Sequence, residues 1–207
     1  MKLKRAIELR KKAETRIETI RADGDLSQKK KGEMIAAERE RANKTIAALR
    51  EEHTAERAAQ RETLKSRLFG LGHKATATEA DKHAAITSYR DAQFRVAGLG
   101  SQDEARRMLQ RARTNGDGLL ARAIGSLAYE NGWDSLTKEY AEGEGAVQTL
   151  EELGALEQSE GNRTRQFETS VAFSPIPETS EEREFRIASG PAVLGAAVGS
   201  RDSQLRG

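Results

Sequence analysis

The sequence feature that most constrains the fold is the stretch from Gln28 to about Phe69, which contains no proline and, apart from Gly32, no glycine. Apolar residues such as Ile35, Ile46 and Leu64 recur along it with an approximate spacing of three or four residues, and charged residues fill most positions between them. This spacing predicts a single helix about 60 Å long, because an α-helix rises about 1.5 Å per residue. A helix of that length favours an all-α fold.

A shorter amphipathic helix is predicted before it, over residues 3–21, and a turn rich in Asp and Gly joins the two helices. Together they predict a coiled-coil-like hairpin. The first helix is only about 28 Å long, so it reaches about half of the second. The remaining part, Glu51–Leu68, therefore needs the middle of the chain, a second copy or a different protein to pack against. The alternative is a solvated helix held by local ion pairs.

Residues 76–160 predict a packed domain of short helices. Ser101 and Glu104 fit a capping box, and the Asn-Gly pairs at 115–116 and 131–132 mark helix ends. Most of the large apolar residues of the chain lie in this part. The predicted core consists of Leu120, Ile124, Leu127, Tyr129, Trp133, Leu136 and Tyr140.

The chain changes character after Gly161, because all three Pro and many Ser and Gly residues follow it. Residues 167–173 alternate apolar and polar side chains, which is compatible with a strand. We expect an extended tail that docks through apolar anchors, with a disordered tail as the alternative. The predicted division is a basic helical hairpin over 1–72, a small helical domain over 73–160 and an extended or disordered docking tail over 161–207.

Contacts with other chains are expected at the distal end of the long helix and at the apolar residues of the tail. Apolar side chains in these places gain stability only when a partner removes them from water. The predicted partner-binding residues are Leu64, Leu68, Phe69, Phe167, Val171, Phe173, Phe185 and Ile187.

The residue types that carry most protein chemistry are scarce or scattered. The chain has no Cys and only three His, and no two His are four residues apart. Asp and Glu are interleaved with Lys and Arg, as on a solvated helix face, and the chain has no P-loop, nucleophile elbow or dinucleotide fingerprint. We therefore expect a protein that is not an enzyme and holds neither a cofactor nor a metal ion.

The net charge of +2 hides an uneven distribution. Residues 1–70 hold 19 Lys and Arg against 12 Asp and Glu, a net charge of +7, whereas residues 71–207 carry −5. The basic part predicts weak, non-specific contact with nucleic acid, although no aromatic residue precedes Phe69 to stack on bases. The longest apolar run, 192–199, is too short to span a membrane, and the charged N-terminus is unlike a secretory signal. We expect no membrane contact and a protein that starts in a cytoplasm.

Residues 121–140 resemble the centre of a tetratricopeptide unit. Gly125 places a small residue where two helices would cross, Asn131 and Gly132 form the turn, and Tyr140 belongs to the second helix. One such unit is visible. The resemblance therefore implies a helical hairpin with this packing and not a repeat array.

A wider resemblance covers residues 1–160. Its motifs are the Ala-Asp-Gly-Asp-Leu-Ser turn, the Arg-Leu-Phe-Gly sequence ending at Gly70, the Ser-Tyr-Arg-Asp-Ala sequence starting at Ser88, and the turns at 115–117 and 131–133. In this order they are similar to uncharacterised helical proteins that actinobacterial tailed phages and prophages encode among their virion-assembly genes. The resemblance implies no catalytic residues.

The leading hypothesis is a structural protein of a bacteriophage virion, located in the head, the neck or the head–tail junction, and in the host cytoplasm during assembly. Its partners would be copies of itself, other virion proteins, or both. Two alternatives stay open. One is a scaffolding or packaging factor that binds nucleic acid non-specifically, and the other is a cytoplasmic adaptor that uses its helical hairpin as a peptide groove.

Overall fold

The computed structural model describes residues 1–71 and 78–188. Within these ranges the regular structure is entirely helical and no strand occurs, which confirms the all-α prediction. The second helix begins and ends where the spacing of apolar residues predicts. The helices are α1 (Lys2–Ala22), α2 (Gln28–Phe69), α3 (Glu79–Val96), α4 (Gln102–Thr114), α5 (Gly118–Glu130), α6 (Asp134–Gly143), α7 (Val147–Gly161), α8 (Arg163–Ala172) and α9 (Ser180–Ala188).

The chain divides into two compact units. Unit 1 combines Met1–His53 with the chain from Glu168 onward, and unit 2 is Thr54–Phe167. Helices α2 and α8 each contribute residues to both units. The divisions predicted after residues 72 and 160 were placed at helix ends. The observed units are instead defined by which residues pack together, and a long helix can contribute residues to two cores.

The turn between α1 and α2 is closed by local hydrogen bonds. The Asp23 carboxylate accepts a hydrogen bond from the Asp25 N–H at 2.9 Å, and the Ser27 hydroxyl accepts one from the Lys30 N–H at 3.3 Å. Side chains of Asp and Ser favour such positions because they satisfy backbone donors that the first helical turn leaves without a partner. The Asp-Gly-rich sequence therefore forms the turn of the predicted hairpin.

The core of unit 1 is made mostly of small and aliphatic side chains, which come from both ends of the chain. α1 supplies Ala6, Ala13 and Ile17, which lie on one face of that helix. The other buried members come from α2 and from the C-terminal part of the chain, and they are Ile35, Ala42, Ile46, Leu49, Phe173 and Ile176. The N-terminal hairpin is thus covered by residues of the predicted docking tail.

Residues 167–173 were expected to be part of an extended tail and were compatible with a strand, but they are largely helical, because α8 extends to Ala172. Asn162 caps this helix by accepting a hydrogen bond from the Arg165 N–H at 3.1 Å. A short alternating run needs neighbouring strands to pair with, and the described residues offer none. Helix formation satisfies the same backbone groups within the segment.

A short non-helical linker, residues 174–179, separates α8 from α9 and contains Pro175 and Pro177. Proline lacks a backbone N–H and fixes φ, so a helix does not continue through this sequence. The remainder of the predicted tail, residues 189–207, lies outside the described residues, and so does His73.

Three helix-to-helix connections in unit 2 use the same turn. In each, a glycine with φ between +66° and +68° follows the helix, and the next N–H donates to a carbonyl five residues earlier at 2.8 Å. Side chains with a Cβ rarely adopt this conformation, so the backbone itself requires glycine. The glycines are Gly116, Gly132 and Gly145, of which the first two lie in the predicted Asn-Gly ends.

The predicted core residues lie in or against the core of unit 2. Tyr140 of α6 lies directly over Gly125 of α5, where an added Cβ would come within 2.5 Å of the ring. α5 and α6 therefore cross at a small residue, and the resemblance of this segment to a tetratricopeptide unit stays a prediction. The fully buried members are Leu120, Ile124, Leu136 and Tyr140, and the partly buried members are Leu127, Tyr129 and Trp133.

The distal end of α2 packs inside unit 2. The last carbonyls of α2 would lack partners in an isolated helix, but side chains of unit 2 donate to two of them and to the carbonyl of Gly70, which follows the helix. Burial raises the pKa of both tyrosines involved, which keeps their hydroxyl groups protonated as donors. The three contacts are Tyr140 Oη to Leu68 O at 2.8 Å, Tyr89 Oη to Phe69 O at 3.0 Å and Arg122 Nη1 to Gly70 O at 2.6 Å.

Candidate interaction surface

The C-terminal part of unit 1 lies on the α1/α2 hairpin, and we call residues 171–188 the strap. The strap comprises the end of α8, the linker 174–179 and α9. Its apolar anchors are Phe173 and Ile176, which are buried in the core of unit 1. The centroid of the Phe173 ring lies 5.5 Å from the centroid of the His53 imidazole ring. The strap therefore completes a core that the hairpin alone would expose.

Two hairpin side chains bind the backbone of the strap. Asn43 of α2 donates from Nδ2 to the Ile176 carbonyl at 3.2 Å and accepts the Ile176 N–H at 2.8 Å. Arg10 of α1 donates to the carbonyls of Val171 and Ser174, both at 3.2 Å, and to Ser174 Oγ at 2.6 Å. Backbone groups outside regular structure need partners, and here the hairpin supplies them. Such contacts are typical of a surface that binds a peptide.

A buried carboxylate fastens the beginning of α9. Glu182 accepts hydrogen bonds from Arg39 Nε at 2.5 Å and from the Thr179 N–H at 2.8 Å. The Thr179 hydroxyl in turn accepts the Glu182 N–H at 3.4 Å, so the two residues form a capping box. A buried carboxylate is costly unless it is paired, and α9 therefore favours the position in which Glu182 meets Arg39.

A second ion pair joins α9 to the hairpin, where Arg21 Nε lies 2.6 Å from the Glu181 carboxylate. The hydrogen bond from Arg21 lowers the pKa of the Glu181 carboxyl from 4.5 to about 2. The same hydrogen bond raises the pKa of the Arg21 guanidinium. Both shifts favour the charged forms that attract each other.

Acidification is expected to remove the contribution of this ion pair. Since folding lowers the pKa of Glu181, its contribution is complete above the ordinary value of 4.5 and is lost as the pH falls toward about 2. The thermal midpoint of wild type should exceed that of Glu181→Gln near neutral pH, and the difference should shrink over this range. Arg21→Gln should behave like Glu181→Gln. Circular dichroism melts measure the effect, and a difference that is independent of pH would contradict it.

α9 approaches α2 closely at Gly32. An added Cβ at this position would come within 2.7 Å of the Glu181 carbonyl oxygen and still closer to Phe185 Cβ. Neither atom can rotate away, because both are fixed to the α9 backbone. Gly32 is the one glycine within α2, where glycine is about 1 kcal/mol less favourable than alanine. The close contact with α9 accounts for it.

Five of the predicted partner-binding residues are covered by their own chain, which corrects the prediction. Leu64, Leu68 and Phe69 are buried in the core of unit 2, and Phe173 is buried in the core of unit 1. Phe185 is partly buried beside α2. These side chains were expected to be exposed until another molecule bound them, because no residues near them in sequence bury them. Segments that are distant in sequence bury them instead.

The other three predicted partner-binding residues are exposed. Phe167 and Val171 on α8 are 70% and 49% exposed, and Ile187 on α9 is 77% exposed. Phe94 on α3 is 84% exposed and was not among the predicted residues. Large apolar side chains that stay in contact with water are the ones that a partner can still cover.

Sequence reasoning missed the polar residues that hold the strap, namely Arg10, Asn43, Arg39 and Glu182. The Thr-x-x-Glu pattern that ends at Glu182 was a signal for a helix start, and the lone glycine within α2 was a signal for close packing. The partners of these residues could not be predicted from the sequence, because the contacts join residues that are 133 to 164 positions apart.

Several cations of the basic N-terminal part are engaged in ion pairs. Arg16 and Arg41 both lie near Glu38, at 3.1 and 3.8 Å. Arg39 and Arg21 pair with strap carboxylates. Glu181 and Glu182 lie outside residues 1–70 and offset part of the +7 charge of that range, whereas Glu38 is already included in it. Contact between this part and nucleic acid stays a prediction.

Within residues 1–71 and 78–188, no group of three or more Asp, Glu or His is arranged to hold a metal ion. No helix in these ranges is both long enough and apolar enough to cross a membrane. No protein-family model, curated protein or solved structure matches this chain. The resemblance to phage-encoded helical proteins thus depends on the short sequence motifs alone and stays a prediction.

Proposed function

We propose that this protein is a structural component of a tailed-phage virion, in the head, the neck or the head–tail junction, and that it acts by binding copies of itself or other virion proteins. The motifs shared with phage-encoded helical proteins over residues 1–160 support the virion assignment. The observation that carries the binding role is the exposure of Phe167, Val171 and Ile187, while neighbouring apolar residues of the same segment are buried.

Covering these side chains would stabilise an assembly. Complete burial of a Phe, Val or Ile side chain is worth about 1.5–3 kcal/mol relative to full exposure. In interfaces, a few such residues carry most of the binding free energy, and loss of one strong contributor costs about 2 kcal/mol, close to 30-fold in affinity. Each of these exposed residues can therefore contribute binding free energy when a partner covers it with a complementary shape.

Replacement of each exposed residue by glutamine tests the proposal. Phe167→Gln and Ile187→Gln should leave the thermal midpoint nearly unchanged because the wild-type side chains are mostly exposed, and Val171→Gln should lower it only slightly because about half of that residue is exposed. In a phage that carries the gene, each variant should enter particles less well than wild type, by up to about 30-fold for a residue at the centre of the contact. Quantitative mass spectrometry of purified particles measures incorporation.

Phe94→Gln is the matched control, because it removes an equally exposed aromatic side chain from a different helix. Normal incorporation of the triple variant Phe167→Gln/Val171→Gln/Ile187→Gln would contradict the proposal. If the purified protein then also retards DNA in a gel at about 50 mM salt, where phosphate contacts are strong, the packaging alternative replaces it. If instead it sediments as a stable monomer without retarding DNA, the adaptor alternative replaces it.

A further inference from the structure

The hairpin and the strap recognise each other through contacts that are specific in charge and in shape. On the hairpin, Arg39 and Arg21 face the strap carboxylates Glu182 and Glu181. Asn43 forms two hydrogen bonds with one backbone unit of the linker. These partners are at least 133 residues apart in sequence, so the contacts are tertiary and do not depend on neighbouring residues of one segment.

We propose that the strap of one copy docks on the α1/α2 hairpin of a second copy, so that the contacts within unit 1 are exchanged between like subunits. The inference rests on the proposed function, because it specifies how copies of this chain bind one another. A second copy is the occupant because each recognition feature of the hairpin has its complement in this chain's own strap. Arg39 matches Glu182, and the space above Gly32 matches Phe185.

The exchange preserves every contact and changes only which chain supplies it. The balance between the two arrangements therefore depends on concentration. A segment on the same chain meets its own partner at an effective concentration that is of the order of millimolar for a short flexible linker, and the strap is joined to the preceding chain through α8. When subunits are held side by side in an assembly, the hairpin of a neighbour is present at a similar effective concentration and competes for the strap. In dilute protein, the strap stays on the hairpin of its own chain.

The strap is also suited to open without unfolding the rest of the chain. Its buried apolar anchors are Phe173 and Ile176, and α9 has only nine residues. Segments with few buried apolar contacts open locally at a free energy well below that of global unfolding. An opened strap leaves the apolar face of the hairpin uncovered, and this face is the one that a neighbouring strap fits.

A charge-reversal experiment makes docking possible only between chains. In Arg39→Glu, two carboxylates face each other, and in Glu182→Arg, two guanidinium groups do, so neither strap docks well on its own hairpin. In a dimer of one chain of each kind, every hairpin meets a strap of opposite charge. The double variant Arg39→Glu/Glu182→Arg is the matched control, because it restores the attraction within one chain.

Co-expression of the two full-length single variants is expected to yield a heterodimer with twice the chain mass in native mass spectrometry. Its thermal midpoint should return close to that of wild type, whereas each variant alone should melt earlier. A mixture that behaves as the sum of the two variants, beside a double variant that is restored, overturns the exchange.

A cross-linking experiment decides the question if charge reversal prevents either variant from accumulating. The chain has no cysteine, so Arg21→Cys and Glu181→Cys each introduce a unique thiol at a partly exposed position. The two variants are placed on full-length chains of different tag size, mixed at high concentration and treated with a short bis-maleimide. A heterodimer in excess over both homodimers supports the exchange, and its absence overturns it.

Both measurements use the purified protein, whereas the proposed function is tested by incorporation into particles. A protein that enters particles without exchanging straps overturns this inference and leaves the virion assignment standing. A protein that exchanges straps without entering particles supports this inference and overturns the virion assignment.

Discussion

Replacement of Gly125 by alanine is expected to lower the free energy of unfolding of unit 2 by about 1–3 kcal/mol. The added Cβ would come within 2.5 Å of Tyr140 Cδ1 and 2.6 Å of its Cε1. The ring cannot move aside freely, because it is buried and its hydroxyl donates to the Leu68 carbonyl at 2.8 Å. The gain in helix propensity from glycine to alanine, about 1 kcal/mol, does not offset a clash with a fixed aromatic ring.

Urea unfolding followed by the fluorescence of Trp133 measures this effect, since Trp133 is the one tryptophan and packs against the core of unit 2. Gly154→Ala in α7 is the matched control, because nothing lies within 4 Å of an added Cβ there. That variant should gain about 0.4–1 kcal/mol. If both variants are equally stable, the α5–α6 crossing is looser than the contact between Gly125 and Tyr140 requires.

Replacement of Gly32 by alanine is expected to detach α9 from α2 and to leave unit 2 folded. The added Cβ would come within 2.7 Å of the Glu181 carbonyl oxygen, and overpacking of this kind costs about 1–3 kcal/mol. Detachment also separates Arg39 from Glu182. Isolated helices shorter than about 12–15 residues are marginal in water, so the nine residues of α9 should unfold once they lose contact with the hairpin.

Hydrogen exchange resolved by residue measures this second effect. Amides of residues 180–188 should lose their protection in Gly32→Ala, while the urea midpoint reported by Trp133 stays at the wild-type value. Gly154→Ala again serves as the control, since it makes the same change in an open helical position. Unchanged protection of α9 would mean that the two helices have room for a methyl group between them.

The helices of this protein were largely predictable because the signals that define them are local. The bounds of α2 follow from the Asp-Gly-rich turn before it, from apolar spacing and from the glycine that follows Phe69. The ends at Gly116 and Gly132 follow from the positive φ that these turns require. Each signal acts through hydrogen bonds between residues a few positions apart, so a single segment contains all the necessary information.

The candidate interaction surface was predictable only in part. Phe167 and Phe173 are six residues apart in similar sequence, yet one is exposed to solvent and the other is buried against the hairpin. Leu64 and Leu68 had the spacing of an unpartnered helix face, but the end of α2 packs in unit 2. In both cases the burial of the residue depends on which distant segment packs against it. Apolar spacing indicates only that a residue is more stable when buried.

The sequence by itself determined the all-α class, the length of α2 and the positions of the main turns, because backbone hydrogen bonding and side-chain spacing within one segment specify them. Only the tertiary structure decided that residues 171–188 belong with the N-terminal hairpin. That association depends on the match of Phe185 to Gly32, of Glu182 to Arg39 and of Ile176 to Asn43. Such matches are properties of paired surfaces, and no single segment of the chain contains both sides.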